Sequence, residues 1–542
     1  MGNGIEHVFV LMLENRSFDH MLGYSGITGT DASDGSPTAI RGLAPLSLRA
    51  TFEAYQQSSL SGVVRKRGQM WPPTSTRSVR SYLTANDYNG VTYGVQQGAD
   101  YAMPVDPNHE FPDVVTQLAG LAGSYPPRGA YPPVRGTGFV ASYVNSGGTD
   151  PSEIMKCYAP SQLPVLTELA SEFVVCDNWH ASLPGPTWPN RFFAHAASSG
   201  GLEHSPTDGQ IVKWKYISGF SFPQGTIYDR LSDRNIKWKI YAGDHFPIVG
   251  ALKGIDLIGD ILNYDNFPGD VAKADYPYAY TFIEPNYGHI TSDFKCGTSQ
   301  HPMDDVTRGE QLIKATYESI RSSPIWNNSL LIVIWDEHGG FFDHLPPPGA
   351  VAPGDTGPDA EHNDAHFTFE QYGPRVPAVL VSPLIPRNLI DHSLYDHSAI
   401  PALIEEWLQL TPMTARDAQS NQLLRLVSLS SARTDTPQTL REAKQSGIGG
   451  CDPPFASPSA RTTTAAVTSL RVSRPYDPVD GGNLPGFLFI AMRAHASVAS
   501  PAERSGIAQR VSQIRTRRDA AQYLGEVDFK VRTARAAKLL TR

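Results

Sequence analysis

The chain has 542 residues, of which 40% are hydrophobic and 18% are charged, and its net charge is -9 with a pI near 6.0. This composition indicates a globular protein with a large core, and the acidic balance argues against general nucleic-acid binding. There is no apolar run of 18 residues, and the N-terminus lacks the basic region of a cleaved signal peptide. We therefore expect no transmembrane helix, and a protein that is cytoplasmic or exported without a cleaved signal.

The first apolar run, His7–Leu13, predicts a buried strand. Polar residues follow it at once, with Glu14 and Asn15 at its carboxyl end. A helix is expected to begin between Ser17 and His20, and a glycine-rich loop is expected from Gly23 to Gly42.

The next stretch, residues 45–133, is rich in Ser, Gly, Pro and Tyr and shows little periodicity. Because it holds several aromatic residues that can be buried, we predict an ordered insertion that covers the functional site, not a disordered segment. These aromatic residues are Trp71, Tyr82, Tyr88, Tyr93, Tyr101 and Phe111.

In the middle of the chain, three prolines surround Thr187, two before it and one after it. They predict a stiff turn that carries the Thr187 hydroxyl and opens a helix near Pro189. Further helices are expected at 163–170, 226–231, 308–321 and 398–409, and further strands at 172–176, 238–241, 281–286 and 376–383.

A second strand followed by acids begins at Leu330, where the run LLIVIW ends in Asp336 and Glu337. Ligands bind at the carboxyl ends of strands in open α/β sheets. Two adjacent carboxylates at such a position are costly unless a cation or a proton compensates them. We therefore predict that Asp336 and Glu337 are metal ligands.

The alternation of strands and helices predicts an α/β fold with a largely parallel central sheet flanked by helices. We expect a catalytic domain at residues 1–410 and a linker with a helical extension at 411–542. From Pro501 onward the chain has ten Lys/Arg and four Asp/Glu. Such a segment is expected to pack on its own protein, and the alternative is contact with an anionic membrane surface or a partner.

The four cysteines, Cys157, Cys176, Cys296 and Cys451, have no metal-binding spacing. They neither demand nor exclude a disulfide.

The polar residues at the predicted strand ends form an oxygen-rich set: Glu14, Asn15, Thr187, Asp336 and Glu337. Such a set suits one divalent cation, and a threonine hydroxyl bound to a cation can act as a nucleophile without a histidine base. A phosphorus centre is the electrophile that best matches this arrangement, which predicts a phospho-threonine intermediate. Several loop histidines could serve the leaving group or the phosphoryl oxygens: His109, His245 and His301.

Five motifs together carry a resemblance: ENRSFDHMLG, GPTWPNRFF, HPMDD, WDEHGGFFDH and YGPRVPAVLVSP. From about Glu6 to Leu410 the chain resembles the phosphoesterase family that contains bacterial phosphatidylcholine-type phospholipases C and related acid phosphatases. That family belongs to the alkaline phosphatase-like superfamily. The resemblance implies an alkaline phosphatase-like fold with long loop insertions and a C-terminal extension.

The resemblance also implies roles for individual residues. It places Thr187 as the nucleophile, His109 and His301 in a phosphate pocket, and Asp244 as a further pocket acid. The expected cofactor is one divalent metal ion, Ca, Mg, Mn or Zn, bound by the five residues named above. We expect a phospholipase C-like hydrolase acting on phospholipid head groups, and the alternative is an acid phosphatase acting on soluble phosphomonoesters.

Two other functional classes agree less well with the sequence. A serine esterase would need a GxSxG motif, which is absent, and would leave the strand-end acids unexplained. A binding protein that has lost its chemistry would need a broken site.

Further motif residues are expected to be structural. Asp19, His20, Asp343 and His344 are expected to link loops by hydrogen bonds, Arg191 and Arg375 to bind phosphate or a loop acid, and Gly339 and Gly340 to permit close backbone approach.

Overall fold

The structure is a computed structural model of the chain. It describes residues 4–43, 65–66, 69–70, 84–207, 219–455, 474–479 and 482–540. The predicted aromatic residues Trp71 and Tyr82 lie outside this part.

A ten-stranded sheet forms the centre of the molecule, in the order β12-β11-β13-β1-β14-β15-β10-β16-β2-β3. Strands β15 and β3 run antiparallel to their neighbours, and the other pairs are parallel. The α/β fold with a largely parallel central sheet is thus confirmed. Its strands are β1 (His7–Leu13), β2 (Thr28–Asp31), β3 (Pro37–Ala39), β10 (Val174–Cys176), β11 (Trp238–Ala242), β12 (Ile261–Asn263), β13 (Tyr280–Glu284), β14 (Ser329–Trp335), β15 (Ala378–Val381) and β16 (Leu389–Asp391).

Within the described ranges, three two-stranded ribbons lie outside this sheet. They consist of β4 (Arg65–Lys66) with β5 (Gln69–Met70), β6 (Ala85–Tyr88) with β7 (Val91–Gly94), and β8 (Gln96–Gln97) with β9 (Lys156–Cys157).

Helices pack around the sheet, with apolar residues of both in one continuous hydrophobic cluster. The α-helices are α1 (Phe18–Leu22), α2 (Phe111–Ala119), α3 (Phe139–Asn145), α4 (Pro164–Glu172), α5 (Thr187–Ala196), α6 (Ile227–Asp233), α7 (Phe267–Val271), α8 (Val306–Arg321), α9 (Ala399–Leu408), α10 (Ala415–Ala418), α11 (Leu484–Val498), α12 (Pro501–Val511) and α13 (Arg517–Leu540). Short 3-10 helices span Glu153–Met155, Ile248–Ala251, Tyr264–Asn266, Trp326–Asn328 and Leu424–Leu426.

The centre of the sheet places the predicted site residues side by side. Strand β1 pairs in parallel with β14, and the register aligns Leu13 with Trp335. The residues after these two positions, Glu14 and Asp336, therefore leave the sheet at the same edge. Both strands are almost entirely buried, as expected for inner strands of a parallel sheet.

One local prediction is wrong in part. The predicted glycine-rich loop from Gly23 to Gly42 contains strands β2 and β3, which form one edge of the sheet. The residues of β2 and β3 are exposed or half-exposed and show no apolar pattern. They form strands because β2 pairs with Leu389 and Ile390 of β16, a contact that the local sequence does not indicate.

The C-terminal part is more closely integrated with the sheet than its composition indicates. Helix α11 was not predicted, and its apolar residues, among them Phe487 and Ile490, belong to the main hydrophobic cluster. The predicted helical segment from Ala502 onward is present as α12 and α13. The division at residue 410 remains a prediction. In the described part of the chain, no helix combines the length and hydropathy needed to cross a membrane.

A disulfide joins Cys296 to Cys451, 155 positions apart. It links the C-terminal part to the loop that precedes helix α8. Cys157 and Cys176 are buried and unbridged.

Candidate active site

Asn15 is the residue through which most of the predicted site comes together. Its backbone N–H donates to Asp336 Oδ1 at 2.9 Å, and its side-chain amide donates to Glu337 Oε1. The same amide nitrogen lies 3.5 Å from Thr187 Oγ1 and 3.3 Å from His109 Nε2. Four residues from three distant parts of the chain thus contact Asn15 through its backbone N–H or its side-chain amide.

The two glycines of the late motif allow close backbone approach, Gly339 to Asn15 and Gly340 to Asn108. Asn15 has a φ of 57°, a left-handed conformation that asparagine tolerates better than most residues. Gly339 has a φ of 63°, and a Cβ added to it would lie 2.2 Å from the Asn15 carbonyl oxygen. A Cβ on Gly340 would lie 2.9 Å from the Asn108 carbonyl oxygen. The close approach expected at these glycines is therefore present.

Thr187 is fully buried and is the first residue of helix α5. The prediction of a helix start near Pro189 is two residues late. Pro189 is accommodated because the first-turn N–H groups of a helix have no partner within the helix, so a proline there loses nothing. The Thr187 hydroxyl consequently lies at a helix N-terminus, where free N–H groups and the helix dipole favour an anion.

Asp336 forms a buried ion pair with Arg191, one turn along the helix from Thr187. Arg191 Nε donates to Asp336 Oδ2 at 2.8 Å, and both side chains are fully buried. Asp336 Oδ1 also accepts from the backbone N–H of Glu337 at 2.7 Å. Burial raises the pKa of Asp336 to about 6, although Arg191 opposes this shift.

Glu14 is the acid of the site with the fewest contacts. It is fully buried, and neither of its carboxylate oxygens has a hydrogen-bond partner of ordinary geometry within the described residues, although the Ser299 hydroxyl lies close enough to lower its pKa. Burial raises its pKa well above the usual value, and the nearby charge of Asp336 adds to the shift. The side-chain oxygen of Asn15 is likewise buried without a partner. Three acceptor oxygens of neighbouring residues are thus unsatisfied, which is costly unless a cation or proton meets them.

Glu337 is held by its own loop. Its Oε2 accepts from the Gly339 N–H at 2.7 Å and lies 3.2 Å from His338 Nδ1. His338 Nε2 in turn lies 2.7 Å from Gln117 Oε1 on helix α2. Helix α2 belongs to the predicted insertion, so the insertion contacts the site directly.

His109 reaches the site from the loop before α2. Its Nδ1 lies 2.6 Å from the Pro107 carbonyl oxygen, which assigns a proton to that nitrogen and turns Nε2 toward Asn15. Burial alone would lower its pKa, but Glu337 and Asp106 outweigh this and raise it to about 9. His301 is buried, and its ring stacks on Phe294 with centroids 4.1 Å apart. His301 Nε2 lies 3.5 Å from Asp106 Oδ2, so Asp106 lies between the two predicted histidines.

Asp244 follows β11, two strands away from β1 in the sheet. Its carboxylate accepts a hydrogen bond from the Tyr287 N–H, and burial raises its pKa to about 7. Contacts that join Asp244 to Thr187 or Asn15 are absent from the described structure, so its role as a pocket acid remains a prediction. Its neighbour His245 instead faces Asp528 of helix α13 at 3.4 Å.

A second acidic cluster consists of Asp19, Asp343 and His344. In the described ranges it is the one set in which three carboxylate or imidazole ligand atoms lie within 4.8 Å of one another, and Glu14, Asp336 and Glu337 do not meet this distance. Arg375 compensates the cluster by donating to Asp343 Oδ1 at 2.9 Å and to Asp19 Oδ1 at 3.1 Å. These contacts link loops, as predicted for Asp19, Asp343 and His344, and Arg375 supplies the positive charge that a metal would otherwise bring. The prediction is wrong for His20, whose ring nitrogens have no hydrogen-bond partner among the described residues and whose ring stacks on Tyr158.

Asp106 and His397 contact the site but were not predicted. Asp106 is three residues before His109, and that proximity was the only signal in the sequence. His397 Nε2 lies 2.5 Å from the backbone oxygen of Asp336, and nothing in the local sequence around His397 indicates this contact.

Comparison with known proteins identifies the family to which the sequence is similar. The sequence model of the Phosphoesterase family matches residues 5–411. The non-specific phospholipase C6 of Arabidopsis thaliana is 34% identical over 456 residues, which cover 81% of this chain and 75% of that protein. Phospholipase C A of Mycobacterium tuberculosis is 26% identical over 428 residues, covering 74% of this chain and 72% of that protein.

Among solved structures, a protein in the alkaline phosphatase superfamily from Vibrio parahaemolyticus matches with a TM-score of 0.30 and 14% identity. The match covers 48% of this chain and 64% of that one. With so low a TM-score, this match gives no information about the fold beyond the sheet order described above.

Proposed function

Because this chain belongs to the Phosphoesterase family and is a phosphoric ester hydrolase, we propose that it is phospholipase C-like and acts through Thr187. The observation that carries the proposal is the position of the Thr187 hydroxyl. It is at the N-terminus of helix α5 and 3.5 Å from the Asn15 amide. An anionic phosphoryl group bound there meets helix N–H groups and lies within reach of the hydroxyl.

In this proposal, the Thr187 hydroxyl loses its proton and its oxygen forms a bond to phosphorus while the bond to the leaving oxygen breaks, and the leaving oxygen takes up a proton. Water then attacks the phospho-threonine and loses a proton, the bond between phosphorus and the Thr187 oxygen breaks, and the Thr187 oxygen regains a proton as the phosphorylated head group is released. His109 and His301 contact the non-bridging or leaving oxygens. Glu337 and Asp106 raise the pKa of His109, which favours the protonated imidazole that can donate to phosphoryl oxygens.

One divalent cation completes the proposal, held by Glu14, Asn15, Thr187, Asp336 and Glu337. The fit is supported by the buried oxygens of Glu14 and Asn15, which lack a hydrogen-bond partner of ordinary geometry among the described residues. A bound divalent cation lowers the pKa of a coordinated hydroxyl and compensates the charge of a phosphoryl group. Asp336 already pairs with Arg191. The side-chain oxygens of Glu14 and Asn15 are therefore the ones most available to bind the cation. The oxygen-only set leaves Ca, Mg, Mn and Zn as candidates.

The substrate class is proposed from the relatives, because the structure itself does not distinguish a phosphodiester from a monoester. Both named relatives are phospholipases C. Phe111 of the insertion gives no evidence for either class, because its ring packs against Tyr125 and Phe367 in a separate hydrophobic cluster. The second candidate remains an acid phosphatase acting on soluble phosphomonoesters.

The test compares Thr187→Ala and Thr187→Ser with wild type on phosphatidylcholine, p-nitrophenyl phosphorylcholine and p-nitrophenyl phosphate. We expect Thr187→Ala to lose at least about 1,000-fold in kcat and Thr187→Ser to keep measurable activity. Faster turnover of the two choline substrates than of the monoester supports the phospholipase. The reverse order supports the phosphatase, and an active Thr187→Ala enzyme would refute the nucleophile assignment.

Peripheral membrane contact through the C-terminal segment is a further part of the proposal. Phe529 on helix α13 is 67% exposed, and Arg518 is exposed on the same helix. Several other basic groups are engaged within the protein, such as Arg510 with Glu526 at 2.6 Å. We expect Phe529→Ser to reduce co-sedimentation with anionic phosphatidylserine vesicles without changing hydrolysis of p-nitrophenyl phosphorylcholine. Unchanged co-sedimentation would refute this contact.

A further inference from the structure

Asn190 is a fully buried residue of helix α5 that the proposed chemistry does not use. It lies three positions after Thr187, within the motif GPTWPNRFF. The next residue, Arg191, pairs with Asp336 at 2.8 Å, which ties this part of the helix to the acid pair after β14. The side chain of Asn190 bonds instead with the turn that precedes the helix.

That turn, residues 183–186, has few N–H groups of its own to meet its carbonyl oxygens. Pro184 and Pro186 have no N–H, and the Gly185 N–H donates to the Leu183 carbonyl oxygen at 3.0 Å. Pro186 is also the N-cap residue of helix α5, and its side chain makes no capping hydrogen bond. Because buried carbonyl groups need a donor, the turn depends on a side chain from outside it.

The amide of Asn190 supplies this donor and an acceptor as well. Its Nδ2 donates to the carbonyl oxygens of Gly185 at 2.9 Å and Pro186 at 3.0 Å, and it lies 3.4 Å from that of Leu183. Its Oδ1 accepts from the Leu183 N–H at 3.1 Å. The amide is therefore oriented consistently, with its nitrogen toward carbonyl groups and its oxygen toward an N–H.

These bonds fix the peptide group that precedes Thr187. The carbonyl of Pro186 and the N–H of Thr187 belong to one planar trans peptide, so they point in opposite directions. Holding the Pro186 oxygen at the Asn190 amide thus directs the Thr187 N–H away from Asn190 and determines where the Thr187 Cα lies. Thr187 is β-branched and fully buried, so its hydroxyl has little freedom once the backbone is fixed.

We propose that Asn190 is a positioning residue for the hydrolysis, which holds the Thr187 oxygen in the place from which it attacks phosphorus. The inference rests on the proposed function of Thr187 as the nucleophile. A displacement of about 1 Å in a reacting group can cost about 100-fold in rate, so a side chain need not contact the substrate to control the reaction. Loss of the Asn190 amide would free the carbonyl groups of the turn and allow Thr187 to move relative to Asp336.

The experiment measures single-turnover hydrolysis of p-nitrophenyl phosphorylcholine, with full-length enzyme in excess, for wild type, Asn190→Ala and Asn190→Asp. An inactive fraction changes the enzyme concentration needed for saturation but not the limiting rate, so this rate reports the chemical step and not stability. Asn190→Asp keeps the size of the side chain and an acceptor for the Leu183 N–H, but it replaces the donor by a carboxylate oxygen. We expect both variants to lower the limiting rate by about 10- to 100-fold.

Asn86→Ala is the matched control, because Asn86 is also buried and bonds with loop backbone through both ends of its amide. Its Oδ1 accepts from the Phe139 N–H at 2.9 Å, and its Nδ2 donates to the Gly136 carbonyl oxygen at 2.8 Å. We expect this variant to lose stability in urea, as the Asn190 variants do, but to keep the limiting rate of wild type.

A limiting rate equal to that of wild type in Asn190→Ala would mean that the residue is merely structural, and it would overturn the inference. If circular dichroism shows that Asn190→Ala does not fold, Asn190→Asp decides in the same way. An active Thr187→Ala enzyme would instead overturn the proposed function, so the two failures are distinguishable.

Discussion

The side-chain amide of Asn15 lies 3.5 Å from the hydroxyl oxygen of Thr187, although the two residues are 172 positions apart. The contact exists because β1 and helix α5 meet at the carboxyl edge of the sheet. Asn15 also contacts both acids that follow β14. A change at Asn15 or at its neighbours is therefore expected to alter several parts of the site at once.

The first prediction concerns Glu14, whose carboxylate is buried without a hydrogen-bond partner of ordinary geometry in the described structure. Glu14→Gln removes a buried charge, so in the presence of a chelator we expect Tm to rise or to stay unchanged. With a divalent cation added, wild type is expected to gain stability by ligand linkage and the variant to gain little. Metal content and thermal unfolding measure both effects.

Glu361→Gln, at an exposed position, is the control for Glu14 and is expected to behave like wild type in both conditions. If Glu14→Gln binds the metal with wild-type stoichiometry and affinity, Glu14 is not a ligand.

The second prediction concerns the buried pair of Arg191 and Asp336. Arg191→Ala leaves the Asp336 carboxylate buried without its cation, so we expect a loss of about 3–5 kcal/mol in the free energy of unfolding. Arg387→Ala breaks the pair with Glu172 in which the arginine is 59% exposed, and we expect a loss of about 1 kcal/mol or less. Urea unfolding measures both, and equal losses would contradict the importance of burial.

The third prediction concerns the pH dependence of stability at Asp244. Its pKa is raised to about 7 by burial, so between about pH 4 and pH 7 the folded state holds a proton that the unfolded state has released. The contribution of Asp244 to the free energy of unfolding therefore falls as the pH rises from about 4 to about 7. Asp244→Asn is expected to have a flatter dependence of Tm on pH than wild type over the same window. Parallel curves for the two proteins would show that Asp244 is ionised throughout.

Most strands of the sheet, and the acids that follow them, could be predicted from the sequence because the patterns that indicate them are local. Buried strands such as His7–Leu13 and Ser329–Trp335 are continuous apolar runs, and the acids at their ends follow directly in the sequence. The chain alone does not show that Arg191 pairs with Asp336, because that contact depends on how helix α5 packs over the sheet. Asp106 was missed for the same reason, since its partner His301 is 195 positions later.

The C-terminal part contains two further features that the local sequence does not indicate, helix α11 and the disulfide. Helix α11 was missed because its composition is apolar on most sides, which suits a helix buried in a core formed by distant parts of the chain. The pairing of Cys296 with Cys451 depends likewise on the fold, because the spacing of four cysteines leaves several pairings open.

The fourth prediction concerns this disulfide. It closes a loop with a sequence separation of 155, and in the chain-entropy account its removal costs about 2–5 kcal/mol. We expect the Cys296→Ser/Cys451→Ser variant to unfold at lower urea than wild type, and a reducing agent to lower the wild-type midpoint toward that of the variant. A midpoint in wild type that is independent of the reductant would show that the bond does not stabilise the fold.

The central claim is that Thr187 forms a covalent bond to phosphorus, and the stereochemical course of hydrolysis tests it most directly. A single enantiomer of a p-nitrophenyl phosphorothioyl choline would be hydrolysed in ¹⁸O-labelled water, and the configuration of the product at phosphorus would be determined. Two successive in-line displacements, by Thr187 and then by water, predict overall retention of configuration. Inversion would mean that water attacks the substrate directly, and it would contradict the phospho-threonine intermediate.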